Sequence, residues 1–409
     1  MTSERIFLVD LARLMLTGSA EGVFMVRESV RRAGAAYGLE ADLLVLPDQL
    51  VLTITDGEDT TTQVVEAVPG MSLDRMEAVK KLAVEVQAGL PLPDAIKRLA
   101  AIETAPPLYP RWLRVIGVTL FAAGFAPSLV PAWYELGTSL ILGAVMGVLF
   151  VAFSGFRWEP LLPLIGSFVI ACLTLTVFSD AAARSGPVML MLPALFVLIP
   201  GDYLSAAAAE LAVGRISAGA TRLVWASFTL VQIIVGVELG AQLAGEGRQS
   251  LFEGSAPGTL PFWVIVAAWV PFTLGLAWTF NASLRNVPLM AALVIGTYLL
   301  YAGFARLAGD LIGTLVAGAA LGVVGTLLAR SPSMPPRLEL VAGGFFTLTV
   351  GSLGLRGVTS ILGGHPIVGV KDLADFMLIV PSVALGLLAG FLLVAPRAPA
   401  TRAPGPRSG

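Results

Sequence analysis

The sequence predicts a polytopic, all-α membrane protein in which ten transmembrane helices form a 5+5 inverted repeat, preceded by a small cytosolic α+β domain. Composition is the first reason: 56% of the 409 residues are hydrophobic and only 13% are charged, whereas soluble domains are about a quarter charged. The second reason is uneven charge, because 26 of the first 110 residues are charged against 28 of the remaining 299. The third is that those later charges separate apolar stretches of membrane-spanning length.

The α+β domain is predicted to occupy residues 1–110. Apolar residues at helical spacing predict one helix over residues 6–36. Two strands follow at 43–54, which carries a Pro-Asp break, and at 60–68. The turn-rich residues 56–59 between them predict a hairpin.

The rest of this domain is predicted to be helical. Asp74 and Glu77 have the spacing of an N-cap and an N3 residue, and apolar residues then repeat at helical intervals up to Gly89. A short helix over 94–102 leads into a proline-rich exit. The domain has no His, no Cys and no phosphate-binding loop, so we expect a regulatory or assembly role.

Ten stretches approach the length of about 20 apolar residues that a helix needs to cross a bilayer. Two membrane halves, residues 111–244 and 260–396, hold five stretches each, with a polar outer loop at 245–259 and a disordered tail at 397–409. The stretches are 115–134, 136–156, 160–179, 185–201, 223–243, 260–280, 286–305, 311–329, 340–355 and 376–396.

Loop charges predict that both termini are cytoplasmic. With the N-terminal domain in the cytosol, the inside loops and tail hold eleven arginines, whereas the outside loops hold five Lys or Arg residues. Five spans per half force the second half to enter the bilayer from the opposite side. This is the inverted-repeat arrangement of many secondary transporters.

Composition also excludes several classes of function. A net charge of -2 and a pI near 5.6 give no reason to expect a nucleic-acid partner. The single cysteine, Cys172, and the single histidine, His365, exclude disulfides and argue against zinc or histidine-centred catalysis. We therefore expect no metal, no cofactor and no enzymatic activity, while a homo-oligomer stays open.

Ionisable residues within the spans are the candidate functional groups, because a charge at mid-membrane costs about 2.5–3.5 kcal/mol. Glu238, with Gln232 six residues earlier, is the most embedded carboxylate and a candidate proton carrier; the alternative is a position near the headgroups. Pro200 and Gly201 interrupt the fourth span beside Asp202. Such a break frees backbone groups for a ligand, although Asp202 also suits a simple helix cap.

The remaining candidates lie next to these breaks. Glu210 follows the first break, and Arg222 is interpreted as an inside anchor or as the partner of Glu210 or Asp202. In the second half, Gly351, Ser352 and Arg356 form a Gly-containing break in the equivalent ninth span. We expect the two breaks and the acidic groups to meet in a water-filled pocket.

The order of these features resembles the threonine/serine exporter family of bacterial membrane proteins over nearly the whole chain. The sequence Leu198-Ile199-Pro200-Gly201 matches that family's Leu-(Leu/Val)-Pro-Gly stretch, and 219–223 matches its Gly-x-x-Arg-Leu stretch. The family's second-half Pro-Gly-Ser stands here as Val350-Gly351-Ser352, without the proline.

The resemblance implies export of threonine and serine across the bacterial inner membrane, driven by the proton gradient. Protons, the small amino acid and the lipid bilayer are then the partners. Three alternatives stay open: transport of another small metabolite, a receptor or scaffold that acts through the cytosolic domain, and a membrane protease with Asp202 and Asp310. The last is disfavoured because the predicted topology places these two aspartates on opposite faces.

Overall fold

The computed structural model describes residues 2–17, 23–45, 49–66, 72–129, 132–245, 260–348 and 366–394. Within these ranges the chain forms a small N-terminal α+β domain and a large bundle of apolar helices. Seven of those helices are long and apolar enough to cross a membrane, and an eighth crossing is formed if one sharply bent helix pair counts as a single span. The protein is therefore a multi-span membrane protein.

The N-terminal domain contains four helices and one three-stranded sheet. Its elements, in chain order, are α1 (Ser3–Thr17), α2 (Val23–Ala36), β1 (Glu40–Val45), β2 (Gln49–Asp56), β3 (Asp59–Glu66), α3 (Leu73–Gln87) and α4 (Leu92–Thr104). The strands pair antiparallel in the order β1-β2-β3. The predicted hairpin is confirmed, since Asp56 pairs with Asp59 across the turn between β2 and β3.

Three predicted details of this domain are wrong. In place of the helix expected over 6–36, the structure has the two helices α1 and α2. A single helix of 31 residues would be about 46 Å long, and it could not bring Leu11 and Val30 into the one core that they share. The strand expected over 43–54 is two paired strands, with Val45 opposite Leu50. The N-cap of α3 is Ser72 instead of Asp74, which lies in the first turn.

The sheet has one buried face, which holds the domain together. Along β2 buried and half-buried residues alternate, so that Leu50, Leu52 and Ile54 point into the core, as the two-residue period of a strand requires. These side chains cluster with residues of α1 and α2, including Phe7 and Leu11.

The membrane bundle begins at Arg111. Its helices are α5 (Arg111–Leu129), α6 (Trp133–Phe153), α7 (Leu162–Thr176), α8 (Ser179–Ser185), α9 (Pro187–Leu195), α10 (Gly201–Ala212), α11 (Ile216–Leu243), α12 (Phe262–Thr279), α13 (Val287–Ala308), α14 (Asp310–Ala329), α15 (Arg337–Thr347) and α16 (Pro366–Val394). Short 3-10 helices at Glu159–Leu161, Phe196–Leu198 and Leu284–Asn286 precede α7, follow α9 and precede α13.

These helices match the predicted spans unevenly. The first three spans and the fifth to eighth correspond to α5, α6, α7, α11, α12, α13 and α14. The fourth corresponds to α9 and its 3-10 turn. The described part of the predicted ninth span, 340–355, lies in and just after the 11-residue α15, and residues 349–365 lie outside the described residues. The tenth corresponds to α16, in which 378–394 is apolar.

Glycines bring several pairs of these helices into backbone contact. A Cβ atom added to Gly236 of α11 would lie 2.0 Å from Ser167 Oγ and 2.3 Å from the Leu164 carbonyl oxygen of α7. A Cβ added to Gly390 of α16 would lie 2.2 Å from the Ala319 carbonyl oxygen of α14. Close approach of this kind is how helices associate in lipid, where burial of apolar surface gives little driving force.

The N-terminal domain docks on the membrane bundle through the start of α3. The backbone N–H groups of Leu73 and Asp74 donate to the carbonyls of Phe280 and Asn281, at 3.2 and 3.1 Å. The first N–H groups of a helix have no partner within the helix, so the loop after α12 supplies acceptors for them. Tyr109 Oη adds a bond of 2.8 Å to the Ala282 carbonyl.

The glycine contact between α7 and α11 predicts a selective loss of stability. Gly236→Ala should destabilise the purified protein by about 1–3 kcal/mol, because the new methyl group would overlap the backbone of α7. Gly296→Ala on α13 is the matched control, since no atom lies within 4 Å of its added Cβ. Thermal unfolding in detergent measures both, and equal unfolding temperatures would contradict the proposed contact.

Candidate functional site

The fourth span is interrupted twice. Helix α8 ends at Ser185, and the chain turns by 104° into the segment Pro187–Leu198. Gly186 makes this turn with a φ of +83°, a conformation that glycine adopts without steric cost. The second interruption is at Pro200, which lacks an N–H donor and separates the 3-10 turn from α10.

The second interruption lies in the interior of the bundle, where the two halves meet. Phe196 stacks on Phe125 with ring centroids 3.7 Å apart and contacts Phe346 of α15 at 5.4 Å. A Cβ atom on Gly201 would lie 2.8 Å from the Phe345 ring, so a larger residue at the start of α10 would have to displace this ring. Two short helices, α10 from the first half and α15 from the second, therefore meet at an aromatic cluster.

Pro200 and Gly201 are both buried. Leu204, in the next turn of α10, packs with Ala226 of α11 and Val383 of α16, and both residues lie well inside long helices. The positive end of the α10 dipole consequently faces the interior of the bundle. Such a helix N-terminus can hold a carboxylate. The side chain of Asp202 is outside the described part of the structure.

Glu210 and Arg222 form an ion pair between α10 and α11. Arg222 Nε lies 3.2 Å from Glu210 Oε2, and the two side chains are only 9% and 13% exposed. The guanidinium also lies 5.7 Å from the centre of the Tyr203 ring. Arg222 therefore does not act as a solvated anchor, and the pairing with Glu210 was one of the predicted alternatives.

Gln232 and Glu238 do not join this group. Both lie farther along α11, and Glu238 is 16 residues from Arg222, which is about 24 Å along a helix axis. Glu238 is half-buried near the end of α11 and accepts a hydrogen bond of 3.1 Å from Gln242 Nε2. Gln232 Oε1 is buried, with no hydrogen-bond donor among the described residues.

The candidates of the second half cannot be placed in the same way. Gly351, Ser352 and Arg356 lie outside the described residues. Asp310, the second aspartate of the protease alternative, is the first residue of α14 and accepts a hydrogen bond of 3.1 Å from Tyr301 Oη.

Two buried carboxylates were missed by the sequence reasoning, which treated both as boundaries of spans. Glu135, in the first turn of α6, is 3% exposed and accepts a bond of 2.7 Å from Ser185 Oγ at the bend of the fourth span. Glu339, in the first turn of α15, is fully buried and accepts a bond of 2.7 Å from Asn286 Nδ2. The one available signal was that each glutamate directly adjoins an apolar stretch.

Both contacts join the start of a longer helix to a short neighbouring element. Glu135 at the start of α6 reaches the end of α8, and Glu339 at the start of α15 reaches the residue that precedes α13. Glu339 lies outside the predicted ninth span, next to the N-terminal domain. The pKa of Glu339 is raised to about 7, chiefly by burial; the hydrogen bond from Asn286 lowers this pKa, and the nearby carboxylates of Glu77 and Asp74 raise it.

An interrupted span at the centre of a helical bundle places the protein in the class of multi-span membrane transporters. The sequence model of the ThrE family, described as "Putative threonine/serine exporter", matches residues 6–244, which is more than half of the chain. The chain therefore belongs to the threonine/serine exporter family. The matched part includes the N-terminal domain and the membrane helices up to α11.

Two curated relatives are similar over long regions. A protein of Schizosaccharomyces pombe described as uncharacterized is 24% identical over 354 residues, which cover 81% of this chain but only 42% of that protein. The "Probable succinate transporter subunit YjjP" of Klebsiella aerogenes is 25% identical over 241 residues, which cover 58% of this chain and 92% of that protein. No solved structure matches the chain.

The buried ion pair predicts a non-additive effect on stability. Arg222→Met should cost about 3–5 kcal/mol, because it leaves the Glu210 carboxylate buried without its counter-charge. Adding Glu210→Met should recover part of that loss. Thermal unfolding of the two single variants and the double variant measures the coupling.

The exposed pair between Arg31 and Glu28 on α2 is the control, and Arg31→Met should cost less than about 1 kcal/mol. Strictly additive losses at Glu210 and Arg222 would contradict a coupled pair.

Proposed function

We propose that this protein is a secondary exporter of small hydroxy amino acids, threonine and serine, across the bacterial inner membrane. The observation that carries the proposal is the interrupted fourth span, in which α10 begins at buried Gly201 beside Phe345 of the opposite half. Its chemistry suits a zwitterion: a helix N-terminus favours the substrate carboxylate, and Asp202 would accept the substrate ammonium group.

Alternating access would require two halves that move against each other around this point. The ten-span, 5+5 inverted repeat is supported by the pairing of helices, because the third and fifth members pack closely in each half: α7 with α11, and α14 with α16. Between the halves, α5 packs on α12, where a Cβ at Gly124 would lie 2.5 Å from the Phe272 backbone nitrogen. The aromatic cluster at Phe196 and Phe346 would then separate and close again during transport.

Proton coupling requires a carboxylate that changes its protonation state as the substrate leaves. Asp202 follows directly after the Pro200–Gly201 break, whereas Glu238 lies near the far end of α11, 16 residues beyond Arg222, and would serve a separate step of the proton path. With both termini in the cytosol, the N-terminal domain docks on the cytosolic side of the bundle. A proton antiporter of this orientation exports its substrate as protons enter.

Transport of another small metabolite is the second candidate, and the name of the Klebsiella aerogenes relative, a succinate transporter subunit, favours it. A dicarboxylate needs two cationic or N–H-rich sites. The helix N-terminus at Gly201 would supply one. Arg222 and Glu210 are ion-paired. Arg222 could therefore supply the second site only by leaving Glu210 and pairing with the substrate.

The substrate test uses inverted membrane vesicles that contain the full-length protein. We expect labelled threonine and serine to accumulate in energised vesicles and an uncoupler to abolish the accumulation, because export by the cell corresponds to uptake by inverted vesicles. Vesicles without the protein are the control. Uptake of succinate but not of threonine would favour the second candidate, and no uptake of either would contradict a transport function for these substrates.

The proton carriers are tested in the same vesicles with Asp202→Asn and Glu238→Gln. Loss of gradient-driven threonine uptake is expected for Asp202→Asn, because an amide cannot release a proton. Asp310→Asn is the matched control, since Asp310 lies outside the proposed path. The assignment is wrong if Asp202→Asn and Glu238→Gln both keep full uptake that is sensitive to the uncoupler.

A further inference from the structure

The N-terminal domain contacts the connection between α14 and α15. Lys80 Nζ of α3 lies within hydrogen-bond distance of four backbone carbonyls, at 2.7 Å from Ala329, 3.3 Å from Ser331, 2.9 Å from Met334 and 3.1 Å from Pro335. Ala329 is the last residue of α14, and the other three belong to the connection to α15. One lysine thus fixes the entire connection against α3.

A polar contact next to Lys80 links the same domain to α15 itself. Asn286 Nδ2 donates to Glu339 Oε1 at 2.7 Å and to Glu77 Oε2 of α3 at 3.1 Å. Two carboxylates from different parts of the protein therefore share a single amide group. Glu339 Oε2 is buried and has no hydrogen-bond partner among the described residues. This is the oxygen that would carry the hydrogen if the carboxyl group were protonated.

Two carboxylates and one ammonium group act on Glu339 directly, while Lys80 of α3 donates to the backbone carbonyls between α14 and α15. The groups that face Glu339 come from α3, from the segment before α5 and from the loop before α13. They are Asp74, Glu77, Lys81, Tyr109 and Asn286. The one cation of this set, Lys81, is half-exposed and pairs with Glu77 at 2.5 Å, so it screens Glu77 more than it neutralises Glu339.

We propose that Glu339 is a proton-binding latch between the N-terminal domain and α15. When Glu339 is protonated, it stays packed beside Asn286 and Glu77, and the contact between α3 and α15 stays closed. When Glu339 loses its proton, two carboxylates compete for one amide in a buried place, and the contact between α3 and α15 opens. The proposal concerns pH control of the domain contact and does not depend on which substrate is transported.

The pKa of Glu339 fixes the direction of the effect. Its value is about 7 in the closed contact against an ordinary value of 4.5, so the stabilising effect of the proton is complete below pH 4.5 and is lost as the pH rises through 7. Opening that exposes Glu339 to water should become more frequent by up to about tenfold per pH unit in this window and level off above it.

Hydrogen–deuterium exchange of the full-length protein in detergent tests the latch. The measured peptides cover residues 72–87 and 330–348, and exchange at each pH is divided by the intrinsic rate. We expect the wild-type protein to lose protection in both peptides between pH 4.5 and about 7. Glu339→Gln should keep both peptides protected throughout, because its amide stays neutral.

Two variants on α3 separate the latch from a general effect on folding. Glu77→Gln removes the competing carboxylate and should lower the pKa of Glu339 in the closed contact. The pH range over which protection is lost should therefore end at a lower pH. Glu85→Gln, on the same helix but paired with Arg98, should leave the wild-type window unchanged. The proposal is overturned if the wild-type peptides show no pH dependence in this window, if Glu339→Gln keeps the wild-type dependence, or if Glu77→Gln leaves the window unchanged.

Discussion

The packing of helix backbone against helix backbone is the constraint on which the rest of this structure depends. Lipid is as apolar as a leucine side chain, so burial alone does not hold membrane helices together. Glycines at Gly236, Gly390 and Gly124 let the backbones of three helix pairs approach to a distance at which no Cβ atom would fit. These pairs form rigid units, and the short interrupted helices α9, α10 and α15 lie between them.

The end of a helix leaves backbone donors and acceptors without partners inside the helix. Where such an end is buried, other parts of the protein supply the hydrogen-bond partners. The N–H groups at the start of α3 use the carbonyls of Phe280 and Asn281, and Lys80 covers the carbonyl end of α14. Gly201 begins α10 inside the bundle, where the positive end of the helix dipole faces buried surroundings. The ends of helices are thus where the domain docks and where the candidate site lies.

Buried carboxylates fix the starts of two helices of the bundle. Glu135 of α6 accepts a hydrogen bond from Ser185, and Glu339 of α15 accepts one from Asn286. Asn286 also donates to Glu77 of the N-terminal domain. The second contact therefore connects the domain directly with the start of α15.

Most of the secondary structure could be predicted, because spans and strands follow local patterns of hydrophobicity and charge. The hairpin at Asp56–Asp59 was expected on that basis, whereas the pairing of Arg222 with Glu210 was one of several alternatives that the sequence left open. The division of residues 6–36 into two helices was not predictable, because it depends on whether one sheet can receive both apolar faces. The candidate site was predicted in part: the Pro200–Gly201 break is evident in the sequence, but the separation of Glu238 from the Glu210–Arg222 pair is not.

The sequence by itself determined the class of protein and the position of the first break, since these follow from composition, spacing and the backbone chemistry of proline and glycine. Only the tertiary structure decided which residues meet. Gly201 reaches Phe345, and Glu339 reaches Asn286 and Glu77, across sequence separations of many helices. Such contacts depend on how rigid helices pack in three dimensions, and no local pattern records that packing.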